Sequence, residues 1–311
     1  MKIHRNFDEL GEIKNPVVTT GTFDGVHIGH KTILNRLRNI ADQIDGETVL
    51  ITFHPHPRKV LYPETKGKNL KLISTQREKI HLLENAGLDH LIIINFTLDF
   101  AKTTSHEFVE NILLGKLHAK RIIVGFNHHF GKNREGDYDY LYKLAKTHDF
   151  EVEEIPEQDV ENETVSSTTI RQALSEGRIQ RANAYLDHFY IMMGYLKDGH
   201  PRCREIGFPT YQLDIEEEVK LVPPEGVYAV SVMTINNKRY RGMLNIKNEQ
   251  DGEQSNPEVH IFGLQHEYDL RGEMVTIQFH KRMRKELNLN STRSLQKQLE
   301  VDKEEIEQLI F

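Results

Sequence analysis

The feature that most constrains this chain is a repeated exchange of two hydrophobic periods in its first half. Short β-branched runs at Val17–Thr20, Thr48–Phe53, Leu91–Phe96, Arg121–Gly125 and Phe150–Ile155 alternate with helical patterns. The runs are apolar almost throughout, as strands must be when a sheet is covered on both faces. Between the first two, Ile33, Leu34, Leu37, Ile40, Ala41 and Ile44 form a helical stripe. Between the second and third, Ile80, Leu83 and Ala86 share one face of Gln76–Ala86. Strand–helix–strand repetition predicts parallel βαβ units in a doubly wound α/β domain. Functional residues are then expected at the carboxyl ends of the strands, where loops feed helix N-termini.

The pattern changes after about residue 186. Tyr190–Leu196, Val227–Thr234, Arg239–Leu244, Glu258–Phe262 and Met274–Phe279 are strand-like and closely spaced, with turn signals such as Pro223-Pro224-Glu225-Gly226 between them. That spacing predicts an antiparallel sandwich or a small barrel. A final amphipathic helix is expected over Ser294–Ile310, and the polar segment Lys247–Asn256 reads as a loop. With 311 residues the chain is long enough for two domains. We place them at 1–183 and 184–311.

Charge and cysteine usage narrow the partners. Counting the 17 histidines as neutral, the net charge is −7, and neither half is basic, which argues against a nucleic-acid binder. A lone Cys203 suits a reducing compartment. No apolar run approaches the ~18–20 residues of a membrane span, and Met1–Arg5 has no apolar stretch behind it, so a cytoplasmic protein is expected. Oligomeric state is left open.

Two segments carry chemistry in the first half. Thr19-Thr20-Gly21-Thr22-Phe23-Asp24-Gly25-Val26-His27-Ile28-Gly29-His30 links the first strand to the first helix. Gly21 and Gly25 allow a tight turn and close approach to a ligand. Gly29 is expected to leave space for a phosphate between the histidines. His27 and His30, three apart, lie on one helix face, where free N–H groups favour an anion. The helix end is also expected to lower the pKa of His30, which then acts as a neutral hydrogen-bond donor. The second segment is Ser166-Ser167-Thr168-Thr169-Ile170-Arg171, before the helical Gln172–Leu174. Its hydroxyls and forked guanidinium suit triphosphate oxygens, although Ser-Ser-Thr alone is commonly just an N-cap.

These residues resemble the nucleotidyltransferases marked by His-x-Gly-His, and specifically the bacterial bifunctional riboflavin kinase/FAD synthetases. Phe53-His54-Pro55-His56-Pro57, Gly125–Gly131 and Ser166-Ser167-Thr168-x-Ile170-Arg171 are similar to the family's further motifs. The resemblance implies a Rossmann-like parallel sheet that joins AMP from ATP to FMN, giving FAD and pyrophosphate. It implies catalytic roles for His27, His30 and Arg171, and ATP binding by Gly21, Thr22, Phe23, Gly29, Ser166, Ser167 and Thr168. It implies flavin binding by His54, Pro55, His56, Pro57, Asn127 and His128. Mg²⁺ would neutralise the remaining phosphate charge. Asn127-His128 stand where an Asp and an aromatic are usual.

The second half resembles the family's riboflavin kinase through Gly207-Phe208-Pro209-Thr210, Asn245-Ile246, Glu258-Val259-His260 and Leu295-x-x-Gln298-x-x-x-Asp302. A closed all-β barrel with a C-terminal helix is implied, with Thr210 on Mg-ATP and Glu258 as the base for the ribityl hydroxyl. Five positions depart from the pattern: Cys203, Tyr211, Gln212, Lys247 and Arg271. These departures lead us to expect a weakened or lost kinase. The alternatives are a C-terminal half that serves only as a flavin-binding or regulatory module, and an adenylyltransferase for another phosphate substrate.

Overall fold

The computed structural model describes residues 1–160, 163–247, 256–264, 269–287 and 291–310. It divides into two compact units, Met1–Leu70 with Lys79–Ser166, and Lys71–Glu78 with Ser167–Phe311.

The first unit is built on a six-stranded sheet. Its strands are β1 (Lys2–His4), β2 (Val17–Thr20), β3 (Thr48–His54), β4 (His90–Asn95), β5 (Arg121–Gly125) and β6 (Glu151–Ile155). All are parallel, in the order β1-β4-β3-β2-β5-β6. Side chains alternate between two buried layers. Val18, Val49, Ile51, Ile92, Ile94, Ile122 and Val124 enter one, while Val17, Leu50, Leu91, Ile93 and Ile123 enter the other. Period-two alternation with both faces apolar is what makes these strands read as continuous hydrophobic runs. The expected stripe of the first helix, Ile28–Gln43, is buried through Ile33, Leu34, Leu37, Ile40 and Ala41. From β2 the chain winds outward through β3 and β4, then returns to β2's other side with β5. The direction of winding therefore reverses at β2, and its carboxyl end is the switch point where ligands bind in open α/β sheets. A two-stranded ribbon, β7 (Asp159–Val160) with β8 (Glu163–Thr164), follows β6.

The second unit contains a closed antiparallel barrel, which settles the open choice between sandwich and barrel. Its strands are β9 (Tyr190–Asp198), β10 (Tyr211–Asp214), β11 (Gly226–Thr234), β12 (Arg239–Ile246), β13 (Glu258–Ile261) and β14 (Met274–Arg284). The final helix, Thr292–Leu309, buries Ile306 against a cluster of Ile206, Phe208, Val227, Ala229 and Met243. Asp302 fixes its register by accepting the Arg284 fork at 2.6–3.1 Å and a bond from Gln298 at 2.9 Å. Residues 248–255 of the expected Lys247–Asn256 loop lie outside the described residues.

A buried ion pair ties Lys71–Glu78 into this unit. Lys220 Nζ donates to Glu78 at 2.5 Å and to the carbonyls of Ile73 and Ile191, each at 2.7 Å. The Glu78 carboxylate also accepts from the Thr75 and Met193 amides. Each oxygen and proton of the pair thus has a partner, the condition under which a buried pair is tolerated.

Candidate active sites

In the first unit, β2 runs into a turn that ordinary residues seldom adopt. Phe23 (φ 48°), Gly25 (φ 83°) and Val26 (φ 43°) all take left-handed backbone conformations. For phenylalanine and valine this is strain, held only because the surroundings fix it. Phe23 and Val26 are both buried, so their side chains anchor the turn from beneath. The result is a stack of three rings: Phe23 on His30 at 4.3 Å between centroids, and His30 on His27 at 3.7 Å. Glycine serves this stack. A Cβ on Gly21 would meet the Phe23 ring at 3.0 Å, and one on Gly29 the His27 ring at 3.3 Å. The space expected above Gly29 for a phosphate is thus partly taken by His27 itself.

His27 is the N-cap of Ile28–Gln43, and its side chain makes no cap hydrogen bond. His30 keeps some exposed surface, yet its Nδ1 is buried with no hydrogen-bond partner among the described residues. Its pKa lies well below the ordinary imidazole value, through burial first and then the nearby charges of His27 and Lys79. The neutral ring expected from the sequence is therefore present, with desolvation as the leading cause.

Around the same strand ends, His54 closes β3 and is exposed. His56 acts as an N-cap: its Nδ1 accepts from the Arg58 amide at 3.1 Å, with Pro57 opening the short helix. Past β5, Asn127 is exposed at φ 55°, and His128 lies 6.0 Å from Phe130 with rings roughly parallel. Burial pushes the His128 pKa down to about 4. The sequence reading passed over Phe126, an exposed aromatic next to Asn127, and Lys79, a buried lysine. Lys79 did have a signal, because it sits four residues before Leu83 on the apolar stripe of its helix.

Ser166 ends the first unit, while Ser167, Thr168 and Arg171 lie on the helix Ser167–Ser175 of the second. The Arg171 guanidinium donates to the Lys71 carbonyl at 3.0 Å.

The barrel site forms on the outer face of β10, β12 and β13. Gln212 and Asn245 flank Glu258 in register, so their side chains share its face. Thr210 Oγ1 donates to Glu258 Oε2 at 3.3 Å. His260, whose pKa is lowered by burial, donates through Nδ1 to the Pro209 carbonyl at 2.7 Å and so fixes the loop that carries Thr210. A Cβ on Gly199 would lie 2.2 Å from the Thr210 carbonyl oxygen, which makes glycine obligatory there. Asn245 Oδ1 is buried with no partner among the described residues.

Of the five departures, Gln212 itself stands on the Glu258 face. Cys203 is half-buried; burial and the Glu258 charge raise its pKa. Arg271 pairs with Asp269 at the surface and reaches Asp198 at 3.4 Å. Tyr211 pairs with Asp198 and Val259 within the ladder, and Lys247 is exposed at the end of β12. Among the described residues, no three His, Cys, Asp or Glu side chains group as a metal cage. The oxygens of Thr210 and Glu258 suit a hard cation that arrives with the nucleotide phosphates.

Sheet, histidine turn and barrel together define a two-part protein, a His-x-Gly-His nucleotidyltransferase unit followed by a riboflavin-kinase-like barrel. Residues 11–169 match the family model for FAD synthetase, and residues 186–310 the one for riboflavin kinase. A bifunctional riboflavin kinase/FMN adenylyltransferase from Listeria monocytogenes is 34% identical over 96% of this chain and 93% of its own length. The protein of that name from Bacillus subtilis is 33% identical over 93% of this chain and 90% of its own length. The chain belongs to the bifunctional riboflavin kinase/FMN adenylyltransferase family. A crystal structure described as a macrolide-efflux protein from Streptococcus pneumoniae also shares the fold. It has a TM-score of 0.86 and 29% identity, over 97% of both chains. No described helix of the present chain is long and apolar enough to cross a membrane.

Proposed function

We propose that residues 1–183 transfer AMP from ATP to FMN, releasing pyrophosphate, and that residues 184–311 phosphorylate riboflavin to the FMN so consumed. For the first reaction the carrying observation is the ring-stacked His27–His30 pair at an uncapped helix start. Fixed neutral donors and backbone N–H groups stabilise the charge that builds on the phosphates without reorganising. Gly21, Thr22, Phe23 and Gly29 shape the ATP pocket, and Ser166, Ser167, Thr168 and Arg171 bind the departing pyrophosphate. The flavin is received by His54, Pro55, Pro57, Asn127 and His128, with His56 contributing mainly through its cap. Mg²⁺, carried by the nucleotide, neutralises the remaining charge.

In place of the weakened second activity expected from the sequence, a working kinase is the better reading. The match to the riboflavin kinase model and the Thr210–Glu258 contact both support it. Glu258 takes the proton of the ribityl hydroxyl, Thr210 holds the nucleotide phosphates, and the bare Asn245 oxygen accepts a donor from the flavin substrate. Incubating the protein with Mg-ATP and either FMN or riboflavin, and resolving the flavins by chromatography, tests both halves. FAD should form from FMN, and FMN followed by FAD from riboflavin. Absence of FAD sinks the first assignment, and absence of FMN the second.

A further inference from the structure

Lys79 is 7% exposed, in the first unit, on a helix that no expected function uses. A buried ammonium loses several kcal/mol of hydration, so a fold keeps one only where its three protons are engaged. Lys79 Nζ donates to the Thr22 carbonyl at 3.0 Å and lies 3.5 Å from Thr52 Oγ1. Thr52, fully buried on β3, donates its own hydroxyl to the same carbonyl at 3.2 Å. Two donors from two elements thus converge on one oxygen.

That oxygen belongs to the peptide that joins Thr22 to Phe23. Its orientation sets the backbone of Phe23, whose φ of 48° turns the ring onto His30, which in turn stacks on His27. Without a clamp at Thr22, Phe23 could relax to the β region that its side chain prefers, and the ring platform under His30 would go with it. We propose that Lys79, seconded by Thr52, is a positioning residue for adenylyl transfer: it clamps the Thr22 carbonyl and so holds the Phe23–His30–His27 stack. The charge of Lys79 also helps to keep His30 neutral, after burial and His27. The inference rests on the adenylyltransferase reading of this unit.

The test compares Lys79→Met, Lys79→Arg and Thr52→Val with the full-length wild type, measuring FAD formation, riboflavin phosphorylation and thermal unfolding on each. Displacing catalytic groups by about an ångström costs on the order of 100-fold. Lys79→Met should therefore lower kcat for FAD formation by ~20–100-fold, with KM for ATP changed less than ~3-fold, because the loss falls on the transition state. Lys79→Arg, which keeps the charge and donors, should recover at least ~5-fold of that, and Thr52→Val should lose only ~3–5-fold. Riboflavin phosphorylation should be untouched in all three. A kcat within twofold of wild type in Lys79→Met overturns the inference. So does a loss confined to KM, or a parallel loss of both activities with a lowered unfolding temperature. If Lys79→Met proves too unstable to assay, Thr52→Val decides alone: an unchanged kcat overturns the clamp. A wild type that makes no FAD instead removes the adenylyltransferase reading itself.

Discussion

The histidine turn after β2 and the Thr210–Glu258 pair of the barrel differ in what holds them. The first is fixed from beneath by strain and burial, through left-handed Phe23 and Val26, a three-ring stack and a buried lysine. The second is fixed from the side, by main-chain pairing of β10 with β13, by His260 on the Pro209 carbonyl, and by glycine at 199. A clamped turn tolerates little substitution, because each member sets the geometry of the next. A ladder-held site can change its rim, since the backbone hydrogen bonds do not depend on side-chain identity. The departures from the family pattern accordingly leave the histidine turn untouched and fall at Asn127-His128 and in the barrel half.

The sharpest way to break the comparison is to remove one reacting group from each site and read both products. Glu258→Gln keeps the Thr210 contact in shape but cannot take a proton, so riboflavin phosphorylation should fall by ~10²–10⁴-fold while FAD formation from FMN persists. A Glu258→Gln enzyme that still phosphorylates riboflavin normally would show that Glu258 is not the base. Lys220→Met leaves the Glu78 carboxylate buried without its counter-ion, an expected cost of about 3–5 kcal/mol. For a unit of this size that is roughly a 10 °C drop in its unfolding temperature, checked by calorimetry on the full chain. A drop of under 2 °C would mean that water or rearrangement already compensates the pair. His30→Ala should lower FAD formation by at least ~100-fold, with the kinase rate unchanged.

The pH dependence of the first site follows from the same geometry. The folded pKa of His30 is depressed, so its neutral form is present from well below the usual imidazole value upward. Lowering the pH through ~6.5 should therefore cost no activity on its account. An acid limb near 6.5 in the kcat of wild type would contradict this if it vanished in His30→Gln.

Much of this architecture was legible because it rests on period and turn chemistry. β2 and β5 fall at their expected bounds, and the helix Ile28–Gln43 buries the stripe that the sequence displays. The strands that were missed lack a periodic signal. β1 spans three residues and joins the sheet by main-chain pairing to β4, and β10 is four residues with a tyrosine, a glutamine and an aspartate among them. Neither the Lys220–Glu78 pair, 142 residues apart, nor the Lys79–Thr22 clamp, 57 apart, has a local pattern. The place of Lys79 on an apolar stripe signals burial, but not the carbonyl it meets. For the kinase departures residue identity was visible in the sequence, but not that Arg271 and Lys247 are exposed.

The smallest effect bears on how open the barrel site is to charge. Burial and the Glu258 carboxylate raise the Cys203 pKa, while Lys247, the Thr210 hydroxyl and Arg202 oppose them. Only the thiolate reacts with iodoacetamide, so labelling at pH 7.5 should be slower than for a free cysteine, whose pKa is ~8.5. Glu258→Gln removes one of the two raising causes and should speed labelling. Lys247→Ala removes a lowering cause and should slow it by less. Opposite signs for these two variants would confirm that the rim charges reach the thiol beside Thr210. Equal rates in all three would mean that solvent screens the site, and that its departures from the family pattern are electrostatically silent.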